Sequence, residues 1–146
     1  MKFTYRTNYR PPIPALTVQL YSPVTDRFAD PALAIVDTGS DAMMVPSRYL
    51  LAIGAQETAP GWLMTVTGER RAVALYFVDI YLEQYAAPGI RVVADEAGDD
   101  IILGRDFLNR FGNYSAIGAG HLNLRLQQCL PGQFGLHVGC KCPAPE

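Results

Sequence analysis

Short blocks of apolar residues, some alternating with polar ones, are separated by Gly or Pro along the whole chain. That punctuation predicts an all-β protein with one or two short helices. Leu16-Thr17-Val18-Gln19-Leu20-Tyr21 alternates as a half-buried strand does. After a turn over residues 23–31, residues 32–36 are continuously apolar, which predicts a strand buried on both faces. Residues 43–45 form another short apolar piece, and Ser47 is placed to cap a short helix over 48–53 that Gly54 ends. Residues 62–66 and 70–83 predict a long hairpin turning at Thr67-Gly68-Glu69. Residues 90–94 predict a further strand and 101–104 the end of another, while 106–111 have the length and apolar spacing of a short helix. A closing hairpin is expected from residues 113–117 and 121–126 around Gly118-Ala119-Gly120. Residues 1–14, with Pro11, Pro12 and Pro14, read as irregular with polyproline character, and the arm is placed at 1–13. From Gln127 onward the pattern dissolves, so the expected organisation is an arm, a β domain over 14–126 and a tail over 127–146.

Composition narrows the class. A chain of 146 residues suits one domain, and at that size roughly 68–70% of the unfolded surface is buried on folding. Twelve Lys+Arg against fourteen Asp+Glu leave no electrostatic footprint for nucleic acid. Every apolar run falls far short of the roughly 18–20 residues that span a bilayer, so no membrane partner is expected. Nothing near Met1 resembles a signal peptide. All three cysteines (Cys129, Cys140, Cys142) fall in the tail. An odd count without a leader argues against a disulfide framework and points to a reducing, cytoplasmic compartment.

Candidate chemistry concentrates at Ala34-Ile35-Val36-Asp37-Thr38-Gly39-Ser40, where an apolar strand runs into a carboxylate and a tight turn. The strand fixes Asp37, Gly39 lets backbone pass close to its neighbours, and Thr38 and Ser40 supply hydroxyls. Alone, Asp-Thr-Gly is also an ordinary turn sequence. A second element follows at Asp100-Ile101-Ile102-Leu103-Gly104-Arg105-Asp106-Phe107-Leu108, with Gly104 lying 67 positions after Asp37. In order and spacing the pair resembles the retropepsin-like aspartic proteases, in the manner of a stand-alone bacterial-type member. That family couples an apolar-apolar-Asp-Thr/Ser-Gly motif to a later apolar-apolar-Gly motif and a short helix. The resemblance covers residues 14–126.

It implies a closed β-barrel or sandwich with Asp37 as the catalytic carboxylate. Thr38 would hydrogen-bond across a dimer, Gly39 would face substrate with its backbone, and Ser40 would hydrogen-bond the outer oxygen of Asp37. Leu103 and Gly104 would pack the crossing strand beneath that loop. Asp41 and Arg105 fall where many viral relatives place a bracing ion pair, the alternative being two separately solvated charges. A flap is expected around Trp62, Thr67, Gly68 and Glu69, although the chain lacks the multiple glycines of viral flaps. Trp62 would wall the cleft or be core or a dimer contact. The implied activity is aspartic endopeptidase, acting on peptide or protein substrates with no metal, cofactor or covalent intermediate.

The chain carries a single Asp-Thr-Gly. It therefore supplies half a catalytic dyad and requires a two-fold homodimer. An acidic pH optimum is expected on the ground that Ser40 donates to Asp37. A non-catalytic dimerisation or peptide-binding use of the same fold is the alternative. The arm is either a pro-segment or a dimer strand. In the tail, Cys129, His137, Cys140 and Cys142 are potential zinc ligands without a standard spacing, or Cys129 pairs with Cys140 or Cys142, or the tail is loose. His121 is expected to be structural, and no nucleophilic triad or phosphate-binding loop is recognisable.

Overall fold

A computed structural model describes residues 2–117 and 121–126. In chain order the elements are β1 (Lys2–Thr4), β2 (Ala15–Ser22), β3 (Arg27–Phe28), β4 (Ala32–Val36), β5 (Met44–Pro46) and α1 (Ser47–Ala52). Then come β6 (Gln56–Glu57), β7 (Gly61–Met64), β8 (Arg70–Val73), β9 (Leu75–Leu82) and β10 (Tyr85–Asp95). The last are β11 (Ile101–Leu103), α2 (Arg105–Leu108), β12 (Phe111–Ile117) and β13 (His121–Leu126).

The central sheet closes on itself. Its order is β3-β2-β4-β11-β5-β10-β9-β6, and β2 also pairs with β9. One strand can serve both ends because β2 uses residues 15–18 against β4 and residues 19–21 against β9. The result is a small barrel filled from the inward positions of each strand. Leu16, Val18 and Leu20 on β2 alternate with outward Thr17 and Gln19, and Val78, Ile80 and Leu82 on β9 do the same. Phe107 and Leu108 of α2 and Leu50 of α1 are buried in the same core.

β11 threads between β4 and β5, parallel to the first and antiparallel to the second. Residues 101–103 lie beside residues 34–36, so both strands end together and release the 37–43 loop and α2 at one place. This register positions the site.

Several expectations need revision. β4 has the expected bounds, but Ala32, Leu33 and Ile35 are only half-buried, so it is not enclosed on both faces. α1 begins at Ser47 itself, after Pro46, without a side-chain cap; the Ser47 hydroxyl donates to Asp95 O instead. The long strand expected over 70–83 breaks at Ala74, which frees the β7–β8 hairpin from the barrel. α2 is a single turn, because Phe111 opens β12 and packs against Phe107 and Tyr85. The arm is not irregular throughout. β1 pairs with β13, making the three-stranded sheet β1-β13-β12, and Arg6 bridges Ile13. The 118–120 turn and the whole tail, with its cysteines and His137, lie outside the described residues.

Candidate active site

Asp37 is the first residue beyond β4, and its amide donates to Leu103 O at 3.1 Å, extending the β4–β11 ladder by one rung. The carboxylate thus stands at the end of two packed parallel strands. It is exposed in the single chain. Its Oδ1 accepts the Gly39 N–H at 2.9 Å, and the Ser40 N–H donates to Asp37 O at 3.3 Å, so the turn wraps around the acid. A Cβ on Gly39 would lie 3.2 Å from the same oxygen. Thr38 is exposed, and its hydroxyl makes no hydrogen bond among the described residues.

Ser40 requires a correction. Its hydroxyl donates to Ala42 O at 2.9 Å, not to the outer oxygen of Asp37. A hydroxyl has one proton to give. The donor that holds Asp37 is the Gly39 amide, so Ser40 gives no ground for an acidic optimum.

The loop is stitched to α2 from beneath. Arg105 N–H donates to Ser40 O at 2.9 Å and Asp106 N–H to Asp41 O at 3.1 Å. Gly104 permits this approach, since a Cβ there would sit 2.5 Å from Ala42 O and 2.6 Å from its carbonyl carbon. Leu103, wholly buried, anchors the strand that leads in. Asp41 and Arg105 meet as an ion pair on the outside of this seam, with side chains 80% and 52% exposed.

Sequence reasoning overlooked Asp106. Its Oδ2 accepts the Met43 N–H at 2.9 Å and its Oδ1 the Phe107 N–H at 2.7 Å. Half-burial pushes this carboxyl above its ordinary pKa, against the opposing pull of the Met43, Phe107 and Asp106 amides and of Arg110. A raised value in the fold means that ionisation costs stability. That contribution is full below the ordinary carboxyl range and fades as pH rises through the raised value. The one available signal was an acid in the first turn after Gly104, which reads as routine helix capping.

The β7–β8 hairpin carries Trp62, Thr67, Gly68 and Glu69 as expected, with residues 65–69 forming its end. Gly68 has φ +84°, a left-handed conformation that favours glycine, and its N–H donates to Thr65 O at 2.9 Å. The Thr65 and Thr67 hydroxyls bond each other at 2.8 Å. Trp62, Met64 and Val66 recur at alternate positions and are 70%, 64% and 107% exposed.

No protein-family model matches the sequence, and no curated protein matches it. Solved structures do. The chain is similar to a retropepsin-like aspartic protease from Rickettsia conorii, with a TM-score of 0.59 at 13% identity over 86% of this chain and 91% of that one. It is also similar to EIAV protease complexed with the inhibitor HBY-793, with a TM-score of 0.52 at 19% identity over 66% of this chain and 86% of that one. The fold is retropepsin-like. Within this retropepsin-like fold, the Asp-Thr-Gly turn and the Leu103-Gly104 crossing lie together at the end of β4 and β11, and the hairpin is a separate two-stranded sheet. No described helix is long and apolar enough to cross a membrane.

Proposed function

We propose that the chain is an aspartic endopeptidase that works as a symmetric homodimer, each copy supplying one Asp37. The observation that carries this reading is an exposed carboxylate held by the β4–β11 ladder and by the Gly39 amide, in a loop clamped from below. A single carboxylate cannot serve as both acid and base in one step. With one Asp-Thr-Gly per chain, the second must come from another copy.

Two carboxyls brought side by side share one proton and titrate as a pair. The ionised member takes a proton from a water molecule whose oxygen attacks the peptide carbonyl carbon. The protonated member gives its proton to the carbonyl oxygen, leaving a tetrahedral diol. Collapse of the diol breaks the C–N bond as the now protonated carboxyl gives its proton to the nitrogen and the other carboxylate takes one from a diol hydroxyl, so the pair ends with its single proton. The pH optimum should be acidic because the pair must hold that proton. The exposed Thr38 is suited to a contact across the dimer axis, and the β7–β8 hairpin to covering bound peptide.

The test is Asp37→Asn. Asparagine keeps the oxygen that accepts the Gly39 N–H, so fold and dimer should survive. Peptidase activity on an unfolded protein should fall at least about a hundredfold. Wild-type specific activity should also decline on dilution as the dimer dissociates. Undiminished cleavage by Asp37→Asn would sink the assignment.

A further inference from the structure

The loop that carries Asp37 has two ends, and they are held differently. At its entrance, Asp37 N–H is fixed by Leu103 O, a rung between neighbouring strands. At its exit, Met43 is completely buried, and its N–H has one acceptor among the described residues, the Asp106 carboxylate at 2.9 Å. Between these ends, Arg105 and Asp106 donate backbone N–H groups to Ser40 O and Asp41 O. The Asp106 side chain therefore supplies a further rung of a seam that runs from residue 40 to residue 43. Met43 O, in turn, accepts the Val93 N–H at 2.9 Å, which ties the same residue to β10.

We infer that Asp106 is a positioning residue for the active-site loop: through the Met43 N–H it fixes the loop's exit and hence the height and tilt of the Asp37 carboxylate. The inference rests on the peptidase reading above. The two bonds that Asp106 accepts are not equivalent. Phe107 N–H has a second acceptor in Gly104 O at 3.2 Å, so the helix start does not depend on this carboxylate. Met43 N–H has no such alternative among the described residues. A buried donor left without an acceptor must find one by moving, and the segment free to move is the short loop back to Asp37. Two carboxylates that must meet across a dimer axis tolerate little such movement, because a displacement of about 1 Å in a reacting group can cost on the order of a hundredfold in rate.

The experiment compares Asp106→Ala, Asp106→Asn and Val78→Ala in the full-length dimer. Val78 is wholly buried on β9, so its truncation serves as a control for destabilisation of the core away from the loop. Two quantities are read: kcat and KM on fluorescein-labelled denatured casein, and hydrogen exchange at the Met43 amide. Asp106→Ala should lower kcat by roughly 10- to 100-fold with KM within about twofold. Its Met43 amide should exchange faster than the loss of global stability allows. Asp106→Asn should recover most of kcat and of the protection, since its carbonyl can still accept from Met43 N–H. Val78→Ala should lose stability and keep kcat.

Retention of kcat by Asp106→Ala would overturn the inference, as would an asparagine variant as poor as the alanine one, or a control that loses as much kcat. Should Asp106→Ala fail to fold, Asp106→Ser takes its place, since its hydroxyl remains at the helix start but is one bond too short to reach Met43. If the wild type cleaves nothing, the peptidase reading fails by itself. The Met43 exchange then decides the brace, and unchanged protection in Asp106→Ala refutes it.

Discussion

The seam between the 37–43 loop and α2, and the β7–β8 hairpin, are held in opposite ways. The seam is tied to the barrel through Leu103 O, Arg105 N–H, Asp106 N–H and the Asp106 carboxylate, and it has no room for a methyl group at Gly104. The hairpin's end is held by its own bonds, among them Thr65 N–H to Glu69 O and Gly68 N–H to Thr65 O, both 2.9 Å. Its strands pair with each other and not with the eight-stranded sheet. One region is built to keep a carboxylate in place. The other is tied only to itself, as the proposed covering role would require. Changes in the first should therefore cost stability and turnover together, and changes in the second should alter substrate capture with little effect on stability.

The sharpest break is Gly104→Ala. The added methyl would fall within 2.6 Å of the Ala42 carbonyl carbon and within 2.5 Å of its oxygen, and these are backbone atoms that cannot swing aside. Overpacking of this kind costs about 3 kcal/mol, or about 6–12 °C in Tm for a chain of this length. The expected outcome is a folded but destabilised protein with little peptidase activity, checked by thermal unfolding beside the casein assay. Wild-type Tm would mean that the seam is looser than its geometry indicates.

On the hairpin, Trp62→Ala should behave differently. The indole is 70% exposed and shares a face with Met64. Its removal should leave Tm within about 1 °C, as exposed substitutions usually do. KM should rise by roughly tenfold, the loss typical of truncating an aromatic anchor in a binding surface. A fall in kcat at unchanged KM would assign Trp62 to the catalytic geometry and erase the distinction between the two regions.

The same contrast governs what could be read from sequence. The Asp37 turn and the Leu103-Gly104 crossing were legible because each is a local pattern, apolar strand then turn residue, and their pairing multiplies the information. The β7–β8 hairpin was legible from Gly68, since a residue with a side chain seldom adopts φ +84°. Apart from the Asp41–Arg105 pair, which came with the resemblance, contacts between distant segments were not legible. Lys2–Thr4 is too short to signal a strand, and its partner His121–Asn123 lies near the other end of the sequence. Phe107 and Phe111, four apart, fit a helix face, and only packing in the fold turns Phe111 into the start of β12. Asp106 resembled an ordinary acid in a first helical turn, and its partner Met43 is 63 positions away. The Ser40 expectation failed for a local reason. Once the turn forms, Ala42 O lies within reach of the hydroxyl, and the Gly39 amide already occupies Asp37.

The smallest effect tests how far the seam's rigidity depends on charge. Asp41 and Arg105 pair on its outer side, where a brace is the expectation under test. Both side chains are more than half exposed, so water screens the attraction and competes for each group. Exposed pairs of this kind contribute about 0.2–1 kcal/mol. The backbone bonds beneath them, Arg105 N–H to Ser40 O and Asp106 N–H to Asp41 O, need neither side chain. Arg105→Met should therefore lower Tm by no more than about 2–4 °C and leave kcat within about twofold. Raising the salt concentration should shrink even that difference in Tm. A double-mutant cycle with Asp41→Asn gives the coupling directly. A coupling above about 2 kcal/mol would exceed what an exposed pair supplies, and would mean that the pair is desolvated in solution, as the proposed homodimer would allow if its interface covered them.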